Sequence, residues 1–437
     1  MKVLLLHPNF PAQFRHVAQA LGRDPAHRVV FATKNERPEW NIPGVKKALY
    51  RPEGGTAKDA YRLAAPFETA LREGEGVWRL CRELRDQGFV PDLVYLHAGW
   101  GTGMYVKDAF PESRIMGYFE WFYDPLGADA NFDPPPPGQA PKPHWDKPPT
   151  VLRTRNMPIF NDLWVCGQGL SPTYWQRAQL PREFWPKIAV LHDGVDCAYF
   201  RPDPGAKLVL PGLDLSGVEE LVTYATRGME PYRGFPQFME AAAQVLRERP
   251  RAHVAIAGSE RVCYGTPLPE GKTYKQVMLE RLDLSADQLD RLHFVGSLPY
   301  GQYRQLLQAS TVHVYLTRPF VLSWSAVEAM ACGCCLVASD TPPVREAMVE
   351  GESALLCNFF DPAGIARRIG EALDDKDLAG RCRAGARAVA QARYDLARLL
   401  PAHLGLMAHA ATGKGPVRLA GDPTLPPGAT PVNTPRA

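Results

Sequence analysis

The sequence predicts an α/β protein built from two doubly wound parallel-sheet domains, and three observations carry that expectation. Short apolar runs alternate with longer amphipathic stretches along the chain, the pattern of parallel sheets covered by helices. The alternation falls into two series, separated by a stretch with neither period. The chain, at 437 residues, is also longer than one hydrophobic core usually serves.

The first series reads as strands at KVLLLHP, RVVFATK, DLVYLHAG, RIMGYFE, DLWVCG and IAVLHDG, with helical patterns such as AQFRHVAQAL and VWRLCRELRDQG between them. Within it, NFDPPPPGQAPKPHWDKPP is too rich in proline for helix or sheet interior and is expected as a long loop. The second series places strands at LVTYATRG, AHVAIAG, LHFVGS, VHVYLT, CLVAS and ALLCNF, separated by helices at FPQFMEAAAQVLRER, YGQYRQLLQAS, SAVEAMACG and AGIARRIGEAL. The expected domains are residues 1–198 and 221–410, with a linker and entry loop at 199–220 and a disordered Gly-, Pro- and Thr-rich tail at 411–437. Helices after about residue 376 are expected to pack back on the first domain.

Composition narrows the class further. Hydrophobic residues make up 45% and charged residues 22%, an ordinary soluble balance, and a formal charge of +3 gives no sign of a nucleic-acid partner. No run approaches the roughly 20 apolar residues of a membrane span, and KVLLLHP is too short for a signal peptide core. The expectation is a cytoplasmic protein, with peripheral contact at the inner face of a membrane still open to it. Nine scattered cysteines suit a reducing compartment. Cys332, Cys334 and Cys335 lack a second pair at ligand spacing and read as buried small hydrophobes, so no metal is expected.

Ligands of open parallel sheets bind beyond the carboxyl ends of the strands. TRGMEPYRGF follows the first strand of the second series, so Arg227 and Arg233 are placed at that end, where two always-charged, forked guanidiniums suit a diphosphate. The alternative is solvated arginines, or partners of Glu230. LTRPFVLSWSAVEAMACG reads as strand, turn and a helix opening at Ser323, Trp324 and Ser325, whose free N–H groups favour an anion. Glu328 then lies a turn into that helix, either accepting two ribose hydroxyls or serving the helix dipole. AGWGTGM offers Gly99, Gly101 and Gly103 after a strand, but Met104 stands where a dinucleotide fingerprint needs glycine.

Together VEAMACG with CLVAS, the arginines of TRGMEPYRG, HDGVDCAYFRPD and PDLVYLHAGWG resemble glycosyltransferase family 4. HPNFPAQFRHVA, YFEWFY, SPTYWQRAQLP and RPFVLSWSAVEAMACG resemble a bacterial subgroup associated with surface polysaccharide assembly. The resemblance spans Met1 to about Leu373. It implies the GT-B fold, two Rossmann-like domains facing a central cleft, and a retaining hexosyltransferase using a nucleotide-diphosphate sugar as donor, without cofactor or metal. The acceptor, glycan, lipid-linked or small molecule, and the oligomeric state are left unidentified.

By the same resemblance Arg227 and Arg233 take the family's diphosphate-binding Arg and Lys, and Glu328 its ribose-binding Glu. The family's second Glu, eight positions earlier, is here Phe320, so donor-sugar recognition must use other groups, such as the backbone from Val321 to Ser323. Glu120, at the end of RIMGYFE, is expected as the active-site carboxylate, orienting a hydroxyl or stabilising charge at the anomeric carbon; its alternative is capping a loop. The catalytic set is therefore Glu120, Arg227 and Arg233. Phe10, Pro11, His97 and Phe320 are expected near donor or acceptor, His97 being equally suited to a structural hydrogen bond. The rival activities are a nucleotide-sugar epimerase or hydrolase and a non-catalytic nucleotide-sugar- or glycan-binding protein.

Overall fold

The computed structural model describes residues 1–55, 61–134 and 149–417. The expected proline-rich loop and the expected tail lie mainly outside those residues. The chain divides into two compact units, Met1–Gly194 with the segment from Ala397 onward, and Val195–Leu396.

The first unit holds a seven-stranded sheet: β1 (Lys2–Leu6), β2 (Arg28–Thr33), β3 (Val45–Leu49), β4 (Leu93–His97), β5 (Arg114–Tyr118), β6 (Gln168–Ser171) and β7 (Ile188–Val190), in the order 3-2-1-4-5-6-7. All its pairings are parallel. Successive side chains of a strand point to opposite faces, and in a doubly covered sheet both sets must be apolar. Val3, Leu5, Val29, Phe31 and Tyr95 pack with Leu399, Leu406 and Met407 of the helix Leu396–Thr412. Leu4, Leu6, Val30, Val94 and Leu96 pack on the other face with Val77, Leu80 and Leu84 of the helix Ala65–Asp86.

Two expectations need correction here. DLWVCG is not a strand: the helix Met157–Val165 runs through it and β6 starts after it, because Ile159 and Leu163 bury one helical face while Trp164 is 80% exposed. The strand β5 ends at Tyr118, two residues short of Glu120. β3, VKKAL, has no counterpart among the expected strands, since an edge strand carrying two lysines lacks the continuous apolar run of a central one.

The second unit holds a hairpin, β8 (Val209–Leu210) with β9 (Leu213–Asp214), and a six-stranded parallel sheet of β10 (Glu220–Gly228), β11 (Ala252–Ser259), β12 (Leu292–Gly296), β13 (Val312–Tyr315), β14 (Leu336–Ser339) and β15 (Leu355–Cys357), in the order 12-11-10-13-14-15. The stretch 199–220, expected as a linker, is part of this unit's core: Leu208, Leu210 and Leu215 are buried against Leu221, Ala255 and Leu306. Cys332, Cys334 and Cys335 are likewise buried. Both sheets reverse strand order beside their first strand, which opens a binding crevice at the carboxyl ends of the neighbouring strands.

Candidate active site

In the second unit the chain leaves β10 at Gly228, turns through Pro231–Arg233 and enters the helix Phe235–Glu248. Gly234 makes that turn possible at φ 67°, where a Cβ would press against Leu316 Cβ at 2.7 Å. The turn drives the Arg233 side chain inward, 8% exposed, while Arg227 stays exposed at the strand end. Arg233 Nη1 donates to Thr317 Oγ1 at 2.6 Å, to Val321 O at 3.3 Å and to Tyr315 Oη at 3.4 Å, and its guanidinium lies 5.6 Å from the Tyr264 ring centre. Every one of these neighbours is neutral, and among the described residues no carboxylate pairs with Arg233.

Glu230 is not that partner. Its carboxylate is fully buried and accepts from the backbone N–H groups of Cys263 at 2.9 Å, Tyr264 at 3.0 Å and Gly265 at 2.6 Å. The anion is spent on a loop that holds Tyr264 over Arg233. A buried, always-charged guanidinium without a counter-ion is costly by itself and is offset when an anion arrives.

The helix Trp324–Ala331 opens beside this charge. Ser323 is its N-cap, and its side chain makes no cap bond to the first turn. Tyr315 Oη links the two features, lying 3.4 Å from Arg233 Nη1 and 3.1 Å from Ser323 N. Ser323 Oγ and Ser325 Oγ are 2.8 Å apart, and Trp324 is 40% exposed. One turn in, Glu328 is buried and accepts from the Tyr300 hydroxyl; burial pushes its carboxyl above the ordinary range, and that hydrogen bond pulls it back only in part. Phe320 stands edge-on to Tyr232 at 5.4 Å and to Tyr264 at 5.6 Å, an aromatic corner beside Arg233.

The first unit gathers a second constellation at the carboxyl ends of β1, β4 and β5. His97 closes β4, with Nε2 3.3 Å from Glu120 Oε2. Glu120 also receives Gln13 Nε2 at 3.4 Å, and its carbonyl receives Gln176 Nε2 at 2.8 Å. His7 packs its ring 4.6 Å from that of His97. Burial, then the neighbouring His97, hold His7 well below the usual imidazole range, so it stays neutral and accepts Asn9 N–H at 2.8 Å. The carboxylate side chain is 35% exposed and the imidazole 4%, so a ligand meets Glu120 first.

Phe10 and Pro11 do not line this constellation. Both are buried, and Phe10 packs on Phe31 at 4.8 Å within the sheet core, where an aromatic ring gains more than on the surface. The glycines of AGWGTGM have a structural use as well: Gly101 sits at φ 86°, where a Cβ would run into the Ala70 carbonyl. Tyr315, Thr317 and Tyr264, which build the Arg233 site, were not among the expected residues. Tyr315 ends β13 and Thr317 follows it in the loop at the strand's carboxyl end, so no strand period marked the pair in the sequence.

The family model described as "Glycosyl transferase family 4 group" matches residues 25–200, and that described as "Glycosyl transferases group 1" matches residues 216–389. The D-inositol 3-phosphate glycosyltransferase of Frankia alni is 29% identical over 206 residues, 46% of this chain and 48% of that protein. Its counterpart in Streptomyces scabiei is 29% identical over 209 residues, 47% of this chain and 45% of that protein. The matches thus span about half the length of these curated relatives. Among solved structures, sucrose-phosphate synthase from Thermosynechococcus elongatus superposes with a TM-score of 0.69 at 17% identity, over 95% of this chain and 100% of that one. Anabaena HepE in complex with UDP superposes at 0.66 and 15% identity, over 94% and 100%. These likenesses show the fold, which is GT-B.

Proposed function

Because the chain belongs to the glycosyltransferases, with a family 4 group domain followed by a group 1 domain, we propose that it moves a hexose-type sugar from a nucleoside diphosphate to a glycan, lipid-linked or small-molecule acceptor with retention at the anomeric carbon. The observation that carries the donor assignment is Arg233: a buried guanidinium hydrogen-bonded to neutral groups only, beside a helix opening. The diphosphate lies against Arg233, Arg227 and the first turn at Ser323, Trp324 and Ser325, and Glu328 takes the ribose hydroxyls. When the bond from the anomeric carbon to the diphosphate breaks, its electron pair goes to the departing phosphate oxygen. Preorganised donors aimed at that oxygen each stabilise the transition state by about 3–4 kcal/mol. Two guanidiniums and a helix terminus supply enough positive charge for the step to proceed without a metal.

The N-terminal unit supplies Glu120, which orients the acceptor hydroxyl or stabilises positive charge on the sugar as it transfers. Polysaccharide or cell-surface glycan synthesis at a membrane surface fits an exposed apolar stripe on the helix Met157–Val165. Met157, Phe160 and Trp164 are 47%, 39% and 80% exposed, and Arg153 and Arg155 lie exposed just before them.

Product analysis tests the proposal. Labelled nucleotide sugars are incubated with the protein, with and without an acceptor pool; UDP-glucose comes first, since Anabaena HepE was also solved with that compound. Acceptor-dependent appearance of a glycoside supports transfer. Free sugar in equal amount without acceptor means a hydrolase, and an isomerised donor means an epimerase.

A further inference from the structure

His97 has two partners competing for Nδ1. The Trp100 indole N–H points at it from 3.0 Å, and the Ala98 carbonyl lies 3.2 Å away. An indole N–H only donates, so Nδ1 accepts from it and carries no proton; a neutral imidazole then bears its proton on Nε2. That Nε2 is buried with no hydrogen-bond partner, 3.3 Å from Glu120 Oε2 but off the line of a hydrogen bond.

Trp100 is itself held from below. It lies between Gly99 and Gly101, both at positive φ. Gly99 N–H donates to Asp162 Oδ2 at 2.9 Å, and Asp162 is fully buried on the helix Met157–Val165. A Cβ on Gly103 would run into the other Asp162 oxygen, so the loop closes directly over this carboxylate.

We propose that Trp100 is the positioning residue of the Glu120–His97 pair. Its indole, anchored by Asp162 through Gly99, locks His97 as the Nε2–H tautomer and so presents a donor beside Glu120 for a substrate oxygen. The kinetic part rests on Glu120 being the active-site carboxylate; the tautomer does not. Without the indole, Nδ1–H donates to Ala98 O and Nε2 turns into an acceptor facing a carboxylate.

The test is Trp100→Phe in the full chain; Trp100 is 43% exposed, so phenylalanine is accommodated. Histidine side-chain nitrogens are read by 15N NMR, with His97 assigned from His97→Gln. The wild type is expected to show an unprotonated Nδ1 and a protonated Nε2, and Trp100→Phe the reverse. Turnover of a nucleotide sugar should fall at least about tenfold with KM unchanged, as a wrong tautomer costs chemistry and not binding. Asp162→Asn, which weakens the anchor and keeps its shape, should give a mixture of tautomers. The same tautomer in wild type and Trp100→Phe overturns the proposal. Reversed tautomers with unchanged turnover leave the lock standing and overturn the Glu120 reading instead.

Discussion

Arg233, Glu230 and Glu120 show how far single residues could be read. The place of Arg233 at the carboxyl end of the sheet was legible because TRGMEPYRGF directly follows an apolar strand run, whereas its burial among neutral partners was not. Glu230 was legible as a charge beside it but not as a loop clamp, since its partners are backbone N–H groups more than thirty residues away. No period in the sequence encodes that contact. Phe10 reads as a ligand contact by position, yet the core claims it. For Glu120, substitution by glutamine keeps the size and the contact with Gln13 while removing the charge. Turnover should drop by roughly two orders of magnitude with nucleotide affinity unchanged. Steady-state kinetics beside a nucleotide titration checks this, and a wild-type rate would make Glu120 a loop cap.

At the scale of elements, eleven of the twelve expected strands are present, because buried parallel strands announce themselves as apolar runs. The failure, DLWVCG, has a physical reason. A five- or six-residue apolar run does not distinguish a strand from one turn of buried helix, and Asp162 within it turns inward to the Gly99 N–H where a strand reading puts it at an edge. The same helix shows solvent a face of Met157, Phe160 and Trp164. Cosedimentation with phosphatidylglycerol vesicles should retain the wild type, phosphatidylcholine vesicles should retain it poorly, and Trp164→Ala should weaken binding several-fold. Equal sedimentation of wild type and variant would remove this helix from any membrane role.

For the whole molecule, each unit buries a histidine held neutral. Burial lowers His313 in the second unit to about 4 and His403 in the first to about 4. The unfolded chain takes up those protons near pH 6.5, so the stabilisation is complete above that value and is lost as pH falls toward 4. Asp162 works in the other direction: burial raises it to about 7, and its contribution is complete below pH 3.8 and lost as pH rises through 7. In the first unit His403 and Asp162 therefore oppose each other, and in the second the Glu328 carboxyl, raised by burial, opposes His313 in the same way. Between pH 7 and pH 4.5 the His313 contribution to the second unit should fall by about 2 kcal/mol in denaturant unfolding, with His313→Gln removing that part of the dependence. An unchanged slope in that variant would mean another group carries it.

The central claim is that a nucleotide diphosphate binds at Arg233. Melting temperature across a panel of nucleoside diphosphates and nucleotide sugars tests it most directly, because a ligand that binds only the folded state stabilises by mass action, about 2.7 kcal/mol at a hundred times its Kd. At least one nucleotide should raise the melting point of the wild type and leave that of a folded Arg233→Ala protein unmoved. Equal stabilisation of wild type and Arg233→Ala, or none of either by any nucleotide, would contradict it.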